Sequence, residues 1–151
     1  MNYKLSIFTQ YGQFYIVDKD ASGDTGSQDF WNDEAFNDKL AIADGIIGIS
    51  LANDDAIANF DIEILDSKME QDNQSHYDHI VEGSLLIKSG KLQVVDCPNW
   101  QVELDLDVEP NWYRVRVSSL NLSKARQENP EDKYYIRIWK EKFSERKVLK
   151  R

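Results

Sequence analysis

Apolar residues recur at every second position through most of this chain. Leu5 and Ile7 alternate with Lys4 and Ser6, Phe14 and Ile16 form a second short run, and Ile47, Ile49 and Leu51 form a third. Phe60, Ile62 and Ile64 alternate with Asp61 and Glu63. Two further runs, Val81 to Ile87 and Leu92 to Val95, flank the turn sequence Lys88-Ser89-Gly90-Lys91. Val102, Leu104 and Leu106 alternate with Glu103, Asp105 and Asp107; Tyr113, Val115 and Val117 alternate with Arg114 and Arg116; Tyr135 to Trp139 closes the series. A period of two marks a strand with one dry face and one wet face. Regularly spaced runs of this kind predict a mainly β fold, an antiparallel β-sandwich of eight or nine short strands.

One segment departs from the pattern. Trp31, Ala35, Phe36, Leu40 and Ala43 stand at helical spacing, with Asn32 placed to cap the start and Asp33 and Glu34 at the positive end of the helix dipole. Gly45 is placed to end it in the left-handed conformation. The spacing predicts one short helix near residues 32–44, packed across the sandwich. Three polar stretches read as loops, 18–29, 67–78 and 121–133, the first rich in turn residues and expected to be mobile. None is long enough to link domains, so residues 1–151 are expected to form a single domain. A Lys- and Arg-rich tail, residues 140–151, is expected to fray or to form a short terminal helix.

Charge changes this picture. Residues 18–82 hold seventeen Asp and Glu against Lys19, Lys39 and Lys68, a net of −14; residues 83–151 hold ten acids and fourteen bases, a net of +4; Lys4 completes the total of −9. Most acid-rich stretches are simply solvated surface, but like charges at this density repel and destabilise a fold. A field this uneven favours cationic partners and disfavours nucleic acid or an anionic membrane surface. The acids of the second half have a simpler explanation. Val108-Glu109-Pro110-Asn111 is a short connection, so the flanking strands are expected to pair as a hairpin, with Glu103, Asp105 and Asp107 opposite Arg114 and Arg116.

Catalytic and metal signatures are sparse. There is no Gly-x-Ser-x-Gly elbow and no phosphate-cradling glycine loop, and Cys97 has no family-type motif around it. No enzyme activity and no cofactor are expected. His76-Tyr77-Asp78-His79, with Asp72 nearby, has two histidines three apart but no third ligand at a defined spacing. Asp54, Asp55, Asp61 and Glu63 lack the mid-loop glycine of a calcium site. Trp100, Trp112 and Trp139 fall at strand positions and are expected in the core. Cys97 is the lone cysteine, read as a strand-end apolar filler, and the N-terminus has no apolar run of signal-peptide length. Both features suit a reducing cytoplasm.

Trp31-Asn32-Asp33-Glu34-Ala35, followed by Ala43-Asp44-Gly45 and the strand Ile46-Ile47-Gly48-Ile49-Ser50, resembles the competence protein J family. These are small bacterial proteins that bind and inhibit a partner nuclease of DNA uptake. The resemblance covers residues 31–50; the strand pairs that follow are compatible with it and also with immunity proteins. This chain is somewhat longer than the family pattern and adds the basic tail. The resemblance implies an intracellular protein that binds and blocks a nuclease, and the charge block supports the same reading independently, since spaced carboxylates can occupy a cationic cleft in place of DNA phosphates. The expected contacts are Trp31, Asp33, Glu34, Asp38, Asp44, Asp54 and Asp55, and the expected partner is a protein with a basic surface. The alternative is an immunity-type or accessory binding module whose cationic partner is not a nuclease.

Overall fold

Phe14, Tyr15, Ile16 and Val17 are consecutive apolar residues, and a strand that is apolar on both faces needs a layer on each side. That is the arrangement in the computed structural model, which describes residues 1–69 and 74–151. Strands β1 (Asn2–Gln10), β5 (Asp55–Ile64), β10 (Lys133–Lys140), β9 (Asn111–Leu120), β6 (His79–Ile87) and β11 (Lys147–Lys150) form a six-stranded sheet in that order. Strands β3 (Leu40–Ala43), β4 (Ile46–Ser50), β2 (Gln13–Asp18), β7 (Lys91–Asp96) and β8 (Val102–Asp107) form a five-stranded sheet. The expected β-sandwich is observed, antiparallel except where β10 runs parallel to β5. The two inner faces meet over a core in which Phe14 stacks on Phe60 with ring centroids 4.2 Å apart. Each such ring, fully buried, contributes about 2 kcal/mol through removal of apolar surface from water.

All nine expected runs are strands, and the described residues add two more, β3 and β11. The helix is shorter than its spacing predicts. Helix α1 spans Asp33–Asp38, with the Asn32 side chain accepting from the Ala35 N–H at 2.8 Å, and Lys39 ends it at a φ of 63°. Leu40 and Ala43 keep helical spacing only by coincidence; they pair with Ile49 and Ile46 of β4, and Gly45, at φ +72°, turns that hairpin instead of ending a helix. The segment 18–29 is also more ordered than expected: Asp18 is a buried strand end, and the Gly23 N–H donates to the Asp44 carbonyl at 3.0 Å.

The expected hairpin between the acidic and basic strands does not exist. β8 belongs to the five-stranded sheet and β9 to the six-stranded one, so Val108-Glu109-Pro110 crosses from layer to layer. Leu104 and Leu106 face Tyr113, Val115 and Val117 across the core, and that burial outweighs a pairing of exposed charges. Asp105 and Asp107 instead meet Lys91 of β7, at 3.9 and 2.6 Å. Arg114 and Arg116 both grip the buried Glu82 of β6, at 3.0 and 2.7 Å.

The basic tail covers that cluster rather than fraying. Arg114 donates to the carbonyls of Ser144 and Glu145 at 3.0 and 2.9 Å, Arg116 lies 5.3 Å from the centroid of the buried Trp139, and β11 adds to the edge of β6. Of the tryptophans expected in the core, Trp139 is fully buried, Trp112 is half-buried and Trp100 is exposed. Trp100 follows the end of β7 at a φ of 58° and packs on Tyr15. Replacing Glu82 by Ala leaves two guanidiniums buried without their anion. We expect a loss of about 3 kcal/mol in urea unfolding, well beyond the effect of any exposed pair such as Lys91–Asp107.

Candidate protein-binding site

The outer face of the five-stranded sheet presents Tyr15, Val17, Ala41, Ile46 and Val95, too apolar to be left wet. Residues 19–38 fold back over it, burying Phe30 and Ala35 and half-burying Trp31. Gly48 makes the close approach possible: a Cβ there would stand 2.8 Å from the tip of Phe30 and 3.0 Å from the Trp31 ring. The result is a row of rings. Trp100 packs on Tyr15 at 5.1 Å, Tyr15 on Phe30 at 6.1 Å, and Phe30 on Trp31 at 5.6 Å. The Gln13 side-chain oxygen fixes two of them, accepting from the Trp31 indole N–H at 2.7 Å and the Tyr15 hydroxyl at 2.9 Å.

Strand register gathers the row at one end of the sheet. Gln13 pairs with Ser50 and Phe14 with Asp96, which brings together the Tyr11-Gly12 turn, the end of β4 and the loop after β7. Ser50 also donates its N–H to the Lys39 carbonyl at 3.2 Å, tying in α1. Tyr11, Gly12, Gln13, Trp31, Phe36 and Ser50 line a depression of about 250 Å³. Tyr11 and Phe36 are 69% and 68% exposed beside it. Tyr11 and Trp100 sit at φ of 61° and 58°, a left-handed conformation that bulky residues rarely adopt and that costs on the order of 1–3 kcal/mol each.

Four of the acids expected at a partner contact are carried by the elements that border this depression, although Glu34 lines a separate cleft with Asn37, Asp38 and Arg151. Asp33 and Glu34 are exposed on α1, and Asp54 and Asp55 are exposed where β5 begins, with Asp54 packed against Gly12. Among the described residues Asp33 and Asp55 have no cationic partner. Glu34 is held only by Arg146 at 3.7 Å and Asp54 only by Arg126 at 3.9 Å. Such exposed pairs contribute about 0–1 kcal/mol and are readily exchanged for another cation. Trp31 joins this group.

Asp38 and Asp44 lie elsewhere. Asp38 is largely buried and clamped by Arg146 at 2.8 Å and Arg151 at 2.6 Å. Burial alone would raise its pKa, but the hydrogen bonds from the two arginines outweigh it and hold the carboxyl below its ordinary value. Asp44 occupies the β3–β4 turn at the far end of β4, roughly 15 Å from Ser50 at ~3.3 Å per residue. It borders a different cavity, of about 380 Å³, together with Asp18, Lys88, Trp112 and Phe143. Asp18 is occupied: it accepts from the N–H groups of Lys88 and Ser89 at 3.0 and 3.2 Å and from the Ser89 hydroxyl. Burial opposes its ionisation, and those donors more than compensate, so its pKa is lowered.

The histidines do not converge on a common ligand position. His79 is buried with Nε2 2.9 Å from the Asp38 carbonyl, while His76 is exposed and lies edge-on to Tyr77. Asp78 accepts from the Leu122 N–H at 3.0 Å; Asp72 lies outside the described residues. Burial, reinforced by Lys39 and Arg151, holds the His79 pKa below its ordinary value despite its bond to Asp38. Cys97 is half-buried at the end of β7, its sulfur 3.5 Å from the Tyr15 hydroxyl. Sequence reasoning missed Tyr11, Phe36 and Trp100 as site residues. The available signal was position: Tyr11 precedes Gly12, and Trp100 follows Pro98-Asn99, so both aromatics sit in turns that offer no core to enter.

No family model matches this sequence, and no curated protein does. Two solved structures share its fold. The crystal structure of ComJ, inhibitor of the DNA degrading activity of NucA, from Bacillus subtilis, has a TM-score of 0.67 at 17% identity, covering 93% of this chain and 98% of that one. Crocagin biosynthetic gene J has a TM-score of 0.55 at 16% identity, covering 94% and 98%. The chain therefore has a ComJ-like fold, without family evidence at the level of sequence. Among the described residues no helix is long and apolar enough to cross a membrane.

Two outcomes follow from this geometry. Gly48→Ala should force Phe30 and Trp31 off the sheet, lowering stability by about 1–3 kcal/mol and shifting tryptophan emission. Acidification should destabilise the protein in two steps. His79 is held neutral, so its contribution is present above its ordinary pKa of about 6.5 and is lost as pH falls through the lower folded value. Asp18 and Asp38 are held ionised, so theirs is lost below about 3.9. Urea unfolding across pH 3–8 should resolve both steps, and His79→Gln should abolish the upper one.

Proposed function

We propose that this protein binds a basic protein partner and blocks it, and that the partner is a nuclease. The observation that carries this reading is that exposed, weakly paired or unpaired acids, Asp33 and Glu34 on α1 and Asp54 and Asp55 at the start of β5 beside Gly12, lie on or beside the elements that carry the exposed rings of Phe36 and Tyr11. A nuclease cleft is built from cations that hold phosphates. Carboxylates spaced around an apolar patch can occupy such a cleft, giving fast electrostatic encounter, while Tyr11, Trp31, Phe36 and Trp100 supply desolvated anchors that slow dissociation. The likeness to an inhibitor of a DNA-degrading protein supports the choice of a nuclease over other basic proteins. In this reading Asp38 acts indirectly, by pinning the tail to α1, and Asp44 belongs to a secondary contact. The protein is a binder rather than an enzyme, and its lone Cys97 suits work in the cytoplasm. The likeness to a biosynthetic protein favours a second reading, an accessory module with the same surface and a basic partner that is not a nuclease.

The test is inhibition of a basic-cleft nuclease encoded beside this chain. Asp33→Asn, Glu34→Gln, Asp54→Asn and Asp55→Asn together should lower the association rate about tenfold or more and flatten its dependence on salt. The same charge removed as Glu103→Gln, Asp105→Asn, Asp107→Asn and Glu109→Gln should do much less. Trp31→Ala and Phe36→Ala should act on dissociation instead, at about 2 kcal/mol each. Equal losses in the two acid variants would reduce the effect to net charge. Tight binding of the partner without inhibition would favour the accessory module.

A further inference from the structure

The sandwich has four sheet edges, and three of them carry devices that discourage pairing with another chain. β8 presents Glu103, Asp105 and Asp107. β11 is four residues long, with Lys147 and Lys150 and a register shift after Val148. β3 is also four residues long, and Arg146 reaches over to the Leu40 carbonyl at 3.3 Å. Among the described residues the fourth edge, β1, is long and regular, and Lys4, which also pairs with Asp61 of β5 at 3.9 Å, is the one such device on it. It runs nine residues, roughly 30 Å at ~3.3 Å per residue, without a proline or an irregularity in its register with β5. Its only charge is Lys4, and no acid occurs anywhere in residues 1–17. On its outer side Phe8 stands opposite Ile57 of β5, and the two are 53% and 57% exposed.

An uncovered edge of this length is a template for another strand. Charge selects which one. A basic partner gains nothing from an acid-free strand that bears a lysine. Two copies of a chain with a net charge of −9, in contrast, repel one another overall, and an edge strand free of acids adds nothing to that repulsion. We propose that β1 is a self-association edge, where two copies pair antiparallel about a two-fold axis at Ser6 and join their six-stranded sheets into one. In this register Lys4 of one copy faces Phe8 of the other and Asn2 faces Gln10, so no like charges meet. The alternation also keeps Tyr3, Leu5 and Ile7 on the core side in both copies.

Sedimentation equilibrium of the full chain tests this. A monomer–dimer equilibrium is expected. Ser6→Lys, which sets two lysines face to face at the axis, should weaken it about fivefold or more. Ser6→Ala removes only the bond from the Ser6 hydroxyl to the Asn59 side chain, 2.7 Å long, and should leave the equilibrium intact, as should Val102→Lys on the β8 edge. Amide exchange gives a readout that needs no variant: β1 amides should become more protected as protein concentration rises. A chain that is still monomeric at about 1 mM overturns the proposal. So does a dimer unmoved by Ser6→Lys, or β1 protection that arises only when a basic partner protein is added.

Discussion

The double-sided burial of β2 is the constraint from which the rest of the structure follows. Phe14 and Ile16 fill the core between the sheets, while Tyr15 and Val17 on the other face would meet water if nothing covered them. The chain meets this need locally, by laying residues 19–38 across the outer face. That layer positions Phe30 and Trp31, sets the start of α1, and carries Asp33 and Glu34 to one end of the sheet. Gly48 is small for the same reason: the covering rings approach the backbone of β4 too closely for a side chain. The candidate binding site is thus the rim of a structural patch whose rings pack on the sheet.

A second constraint comes from charge placed where water is scarce. Glu82, Arg114 and Arg116 lie within the sheet surface under the tail, and the donors of Arg114 that Glu82 leaves free are met by the Ser84 hydroxyl and by the Ser144 and Glu145 carbonyls. A buried cluster of this kind does little for stability relative to apolar residues, but it penalises any arrangement that leaves one member alone. It therefore fixes where the tail runs. The same tail then sends Arg146 and Arg151 to Asp38, linking the far edge of the six-stranded sheet to the helix on the other layer. The basic segment neutralises part of the acidic block internally, and the acids that remain free define the available face.

The division of the acids gives the electrostatic reading its direction. Seventeen carboxylates between residues 18 and 82 look like one field in the sequence. In the fold some are structural, such as Asp18 beneath the Lys88-Ser89 turn and Asp38 under the tail, and others, such as Asp44, face a different end. What is left near the aromatic depression is a small set with weak partners or none. A net charge alone would draw any cation. Carboxylates arranged around exposed rings select a surface that has both cations and an apolar contact, which is how an interface gains specificity as well as speed.

The sequence by itself determined the strands and the class of fold, because a period of two in apolar residues is a local property that every half-buried strand must carry. It also determined where the helix starts, since Asn32 caps it whatever lies around it. Tertiary structure decided what depends on distant partners. Leu40 to Ala43 became a strand because β4 offered an edge, which overrode helical spacing. β8 and β9 were parted because their leucines and valines gain more by facing across the core than their charges gain by pairing. The tail became ordered because it covers buried guanidiniums that sequence spacing had placed in an exposed hairpin. The site was legible in its acidic and Trp31 components, which a linear charge count and a short resemblance could flag. Tyr11, Phe36 and Trp100 were not, because their meeting at one end rests on strand register, and register is set by packing between residues far apart in the chain.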